Sequence, residues 1–279
     1  MIDLHVHTSF SDGRLSPATT VSEAARRGLR AVAITDHDVV GGLVEAQRAA
    51  PNGLEVVPGI EMTARWESAR AVHVLGYFVD PDDSGLNAAL ERARRLMEQH
   101  VDRVLEEIRA SGRRLELADL ARYRHRYAGG AALVLGMIER GVLRGGKPGT
   151  GMRLLRLVAD EPRAYDVADA VRLIHGAGGV ASLAHPARLR RGQPLLDADA
   201  LAPLVGLGFD AIEAWQWIPN GWGSDHYRHV AEELGVLVSG GSDDHGKRTR
   251  DGRMRLGAQP VPDTVLEALR GRARSRTSA

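Results

Sequence analysis

Short β-rich runs alternate with helix-forming stretches along most of this chain, and that alternation restricts it to folds in which a sheet is connected by helical crossovers. Ile2 to His5, Ala31 to Thr35, Leu54 to Pro58 and Val72 to Phe78 read as strands, as do Val180 to Ala184, Phe209 to Ala214 and Val236 to Ser239. Between the first two runs, Ser16 suits a helix N-cap, Pro17 suits the first turn and Gly28 suits the end. The pattern breaks after Pro81. There Leu86, Leu90, Met97, Val101, Val104 and Ile108 recur at helical spacing, with Gly112 where a C-terminal cap belongs. More helix follows through Asp119 to Arg156 without a convincing strand.

A chain of 279 residues has room for a single α/β barrel with an insertion, or for two domains. The predicted organisation is a barrel domain from residues 1–82 and 166–269, with a mainly helical insertion over its mouth at 83–165. The basic segment Arg270 to Ala279 is expected to be a flexible tail. With 37 basic against 36 acidic residues, no net field draws the chain to duplex nucleic acid or to an anionic membrane. The absence of cysteine removes disulfides, thiolate metal sites and thiol catalysis together. No apolar run approaches the roughly 18 residues of a membrane span, and no charged n-region with an apolar h-region opens the chain. A cytoplasmic location is therefore expected, and the oligomeric state is left open.

Every predicted strand ends near a possible metal ligand. His5, His7 and Asp12 follow the first, Asp36, His37 and Asp38 the second, and Glu61 the third; His73 lies within the fourth. His185 follows the fifth, Glu213 closes the sixth, and Asp243 and His245 follow the last. His5 and His7 stand two apart, so on a strand they share a face. In a parallel α/β barrel the C-terminal strand ends converge on one face. Singly, each residue has an ordinary reading: Asp36 or Asp38 suits a helix cap before Val39, Glu61 an exposed carboxylate, and His73 a hydrogen-bonded core histidine. Jointly they do not, because unrelated core histidines have no reason to gather at strand ends in six of eleven cases. Imidazole and carboxylate without thiolate suit Mn²⁺, Zn²⁺ or Fe²⁺. Nine candidate ligands exceed the capacity of one ion, whereas two or three ions roughly 3.5–4 Å apart, bridged by a carboxylate such as Glu61, would use them.

The pattern His5-x-His7, Asp12-Gly13, Asp36-His37, Gly59-x-Glu61, His73, His185-Pro186 and Asp243-x-His245 resembles the polymerase and histidinol phosphatase (PHP) superfamily. The resemblance covers nearly the whole chain. It implies a distorted (β/α)₇ barrel with a trinuclear metal site: one ion on His5, His7, Glu61 and Asp243, a second on Glu61, His73 and another ligand, and a third on Asp12, His37 or His185, and His245. The arrangement is most similar to bacterial phosphoesterases of nucleoside 3',5'-bisphosphates and short RNA ends. Where many relatives carry an Arg-x-His pair in the insertion, this chain has Gly130-Ala131-Ala132, leaving Arg124, His125 or Arg126 as substitutes.

The expected activity is hydrolysis of a phosphate ester by hydroxide delivered from between the ions. His5, His7, Glu61, His185, Asp243 and His245 form the reacting centre, with Asp36 and Asp38 orienting His37. Lys147 and Arg188 are candidates to neutralise the phosphate, Arg126 to assist and Trp217 to stack on a base. Gly141 to Pro148 nearly spells a P-loop, but Pro148 replaces the required hydroxyl and no strand precedes it. The partner is thus a small phosphorylated substrate. The alternatives are a related hydrolase acting on a non-nucleotide or cyclic phosphoester or on a C–N bond, and a non-catalytic metal-binding module.

Overall fold

The computed structural model describes residues 1–67, 70–120, 129–144, 149–189, 195–216, 223–247 and 254–277. Seven strands form one curled sheet in sequential order: β1 (Ile2–Val6), β2 (Ala31–Ile34), β3 (Glu55–Trp66), β4 (Arg70–Tyr77), β5 (Val180–Leu183), β6 (Ala211–Trp215) and β7 (Leu237–Gly240). The two outer strands meet as well. A parallel bridge joins Val6 to Asp244, and the His7 amide donates to the Asp244 carbonyl at 2.9 Å. The segment after β7 therefore lies against the end of β1, and the sheet curls around its inner face.

Helices lie between the strands: α1 (Pro17–Arg26), α2 (Leu43–Ala49), α3 (Ser84–Ala110), α4 (Gly130–Glu139), α5 (Thr150–Ala159), α6 (Val167–Gly176), α7 (Ala198–Val205), α8 (Gly223–Glu233) and α9 (Asp263–Thr277). Ser16 caps α1 by accepting from the Thr19 amide at 3.1 Å, with Pro17 at the first position. In α3 the cap is Asp83, which accepts from the Leu86 amide at 2.7 Å, and all six apolar positions predicted from Leu86 to Ile108 are buried. From Val101 onward they pack with Leu120, Leu133, Met137 and Leu154 as an apolar cluster separate from the core beneath the sheet. No described helix is long and apolar enough to cross a membrane.

Three expectations are corrected. The sheet is not wholly parallel: β4 runs antiparallel to both β3 and β5. The cause is the length of β3, which continues past Pro58 to Trp66 and leaves too few residues before β4 for the dozen or more that a parallel crossover needs. Ile60 to Ala64 are buried on both faces, so no alternation marks that continuation. Secondly, the segment from Arg270 to Thr277 is helical, as the second half of α9. Arg270 grips Glu55 at 2.8 Å, and Arg276 reaches the buried Asp210 at 2.6 Å. Thirdly, neither Asp36 nor Asp38 caps a helix. The next one begins at Leu43 behind Gly42.

Candidate metal centre

The side chains that converge inside the curl do so because strand ends carry them to one level. His5 lies on β1 and His7 one residue beyond its end. His37 pairs with Glu61 through a parallel bridge that prolongs β2 along β3, so Glu61 sits inside β3 at the level where β2 stops. His73 on β4 is registered opposite Thr63. Its ring therefore falls beside Glu61, two residues away on the same face, with Nδ1 2.9 Å from Glu61 Oε1. His185, one residue past Ala184 after β5, brings its Nε2 within 3.0 Å of the same oxygen. Asp243 and His245 follow β7.

Eight of the nine ligand candidates fall into three overlapping groups, and the ninth, His185, joins them through Glu61. His5, His7, Glu61 and Asp243 form a fully buried one. His7, Asp12, His37 and His245 form a second, and His37, Glu61 and His73 a third; within each group the nearest ligand atoms lie within 4.8 Å of one another. Sharing of His7, His37 and Glu61 is what places the groups side by side. The rings of His7 and His245 stack at 4.3 Å, and those of His7 and His37 at 4.6 Å.

The residues fit divalent metal ions, and the ring nitrogens show why. His5 Nδ1 lies 2.9 Å from Glu213 Oε1, so that nitrogen carries the proton and donates. In the neutral ring Nε2 is then a bare lone pair, facing Glu61 Oε2 at 3.2 Å and Asp243 Oδ1 at 3.4 Å. His245 repeats the arrangement: Nδ1 donates to the Asp243 carbonyl at 2.9 Å, and Nε2 faces Asp12 Oδ2 at 3.1 Å. A lone pair against a carboxylate is repulsive unless a cation lies between them. His5 Nε2, both nitrogens of His7 and Glu61 Oε2 are also buried without a protein hydrogen-bond partner.

The electrostatics agree. Burial alone would push the His7 imidazolium down, but Asp243 and Glu61 outweigh it and hold it up to about 10. His5 is raised in the same way, burial being overcome by Glu213, Glu61 and Asp243. Glu61, despite its burial, is held well below the ordinary carboxylate range by His37, His5 and His73. Burial presses His37 down to about 3 and lowers His185, leaving both neutral and able to coordinate. Such a cluster binds cations in exchange for protons.

Backbone strain marks the same corners. Asp38, His185 and Asp243 have φ of 50°, 28° and 52°, conformations that cost non-glycine residues on the order of 1–3 kcal/mol each. Gly241 needs to be glycine for a different reason. A Cβ there would meet the backbone of His5, with its Cα at 2.8 Å.

The carboxylates expected to orient His37 act elsewhere. Asp36 accepts from the Thr8 amide at 2.7 Å and from the Thr8 and Ser11 hydroxyls at 2.6 Å, pinning the loop between His7 and Asp12. Asp38 accepts from the Thr63 amide at 3.0 Å and from the Tyr165 hydroxyl. Conversely, Glu213 takes a role the strand-end pattern did not assign, holding the ring of His5 through one oxygen and the His185 amide at 2.6 Å through the other. Arg188 is paired with Asp243 and lines a cavity of about 800 Å³ that opens beside His73 and His185. Lys147, Arg126 and Trp217 lie outside the described residues, as do Arg124 and His125.

Known proteins are similar to this chain in sequence and in fold. The chain is 32% identical over 273 residues to a 3',5'-nucleoside bisphosphate phosphatase of Chromobacterium violaceum, covering 90% of each. It is 34% identical over 260 residues to a phosphoribosyl 1,2-cyclic phosphate 1,2-diphosphodiesterase of Eggerthella lenta, covering 88% of this chain and 94% of that one. A solved structure from Bifidobacterium adolescentis, described as a metal-dependent phosphoesterase, matches with a TM-score of 0.75 at 26% identity, covering 96% of this chain and 94% of that one. With the PHP domain itself matched over residues 3–128, the chain belongs to the PHP family.

Proposed function

We propose that the protein is a metal-dependent phosphoesterase acting on small nucleotides, nucleoside 3',5'-bisphosphates and short RNA ends being the substrate class. The observation that carries this reading is the set of three ligand groups joined through Glu61, His7 and His37. The names of the relatives from C. violaceum and E. lenta support the phosphoester part of it.

The proposed centre would hold two or three ions, Mn²⁺ before Zn²⁺ or Fe²⁺, with Glu61 as the shared carboxylate. Divalent ions there supply Lewis-acid polarisation of a phosphoryl oxygen and acidify water for in-line attack at phosphorus. The protein's own part is to fix the geometry. His5 is held by Glu213 and the His7 loop by Asp36, while Asp243 is steadied by Arg188 at the edge of the cavity. Arg188 is placed to meet a phosphate entering from that side, giving up part of its contact with Asp243. Lys147, Arg126 and Trp217 remain proposed substrate contacts. The accompanying fold proposal is a distorted (β/α)₇ barrel interrupted by a helical subdomain at 83–165, in a cytoplasmic enzyme.

The test is phosphate release by Mn²⁺-loaded protein from phosphomonoesters, nucleoside bisphosphates, cyclic phosphates and short RNA. Release that His5→Ala abolishes supports the reading. No release from any class overturns it.

A further inference from the structure

The cavity beside the ligand cluster is larger than a phosphate requires. Its volume of about 800 Å³ falls in the range of pockets that enclose whole small molecules. One end is polar, formed by His73, His185 and Arg188. The rest of the described lining is mainly apolar: Trp66, three residues along β3 from the partner of His73, together with Leu196, Leu201 and Leu204, which precede and build α7. Beyond the polar end, the described lining residues offer only the Glu67 carboxylate and the Trp66 indole N–H as side-chain hydrogen-bonding groups.

This asymmetry discriminates between organic groups. A polyol seated against that lining would bury hydroxyls without partners and forfeit their hydration. A flat ring gives up little water there and gains contact with an indole face. Resting on the phosphoesterase reading, we propose that the cavity is a specificity pocket for the organic body of the substrate. It seats a nucleobase-like ring between Trp66 and α7 and so selects nucleoside phosphates over glycerol or sugar phosphates. Trp66 is the specificity-determining residue. The phosphate stays at the polar end, where Arg188 and the ligand cluster meet.

The experiment compares kcat/KM for a nucleoside 3',5'-bisphosphate and for glycerol phosphate in the wild type, Trp66→Ala, Trp66→Phe and Ala200→Trp. Ala200 lines the cavity from an exposed position on α7, so filling the pocket from there does not disturb the core. The wild type should prefer the nucleotide. Trp66→Ala and Ala200→Trp should each lower that preference roughly tenfold, chiefly through KM, and Trp66→Phe should restore most of it. A preference unmoved by Ala200→Trp, or a wild type that treats both substrates alike, overturns the pocket assignment while leaving the phosphoesterase reading intact. A wild type that releases phosphate from neither substrate or any other ester overturns both.

Discussion

Glu213 on β6 and His5 on β1 are not neighbours in the sheet, yet Oε1 of one lies 2.9 Å from Nδ1 of the other on the inside of its curl. Both side chains are fully buried, so the contact fixes which ring nitrogen bears the proton and turns Nε2 toward Glu61 and Asp243. Glu213→Gln preserves the shape but presents an amide whose orientation no longer demands that tautomer. The expected outcome is a Mn²⁺ affinity weaker by about 10- to 100-fold, measured by calorimetric titration. Unchanged affinity would show that the ring is held by packing alone.

Chelation should destabilise the protein as well as silence it. Glu61 and Asp243 are buried against the imidazoles of His5 and His7, an arrangement in which a bound cation takes the place of protons. With metal at about 100 times its Kd, mass action adds about 2.7 kcal/mol. Scanning calorimetry with excess Mn²⁺ and with EDTA should separate the two melts by several degrees, and His7→Ala should shrink the separation. Superimposable melts would contradict a folding-coupled metal site.

Gly241→Ala should behave as an overpacking mutation at the metal centre. The added methyl group collides with the His5 backbone, and relief requires β7 to move away from β1. A loss of about 1–3 kcal/mol or more is expected from urea melts, together with weaker metal binding because His5 is displaced. A variant as stable as the wild type would show that the two chain segments separate freely.

Acid should loosen the C-terminal helix first. Burial alone would raise the Asp210 carboxyl, but hydrogen bonds from His175, Arg276 and the Ala181 amide overcome it and hold it down to about 2, against an ordinary 3.8. A depressed folded value means the contribution is complete above the unfolded value near 4 and is lost as pH falls through 2. It amounts to on the order of 2 kcal/mol at neutral pH. Asp210→Asn should therefore be less stable than the wild type at pH 7 in urea melts, and the gap should narrow between pH 4 and 2. A gap constant with pH would assign the effect to packing instead.

The clustering of the candidate ligands was legible because most of them lie at or just after apolar runs short enough to be strands, and strand ends of an α/β sheet share one side. The long helix α3 was legible for a similar reason, since its apolar spacing and both caps are local. What failed to show were relationships between distant segments. Glu213 stood out as a strand-end carboxylate, but nothing near it in sequence says that its side chain reaches His5 on β1. Adjacency to His37 was the only signal for Asp36 and Asp38, whereas in space Asp36 reaches back to Thr8 and Asp38 forward to Thr63 and Tyr165. The end of α9 was hidden because its arginines have partners, Glu55 and Asp210, that lie more than 60 residues away.

The left-handed corners at Asp38, His185 and Asp243 set stability and chemistry against each other. Glycine at any of them would relieve the backbone, and at 185 or 243 it would also delete a candidate ligand. A mutant library ranked by melting temperature in the presence of chelator should therefore drift toward glycine or asparagine at these positions. One ranked by phosphate release should hold the parental residues, so the divergence between the two rankings would locate the centre without a bound ligand.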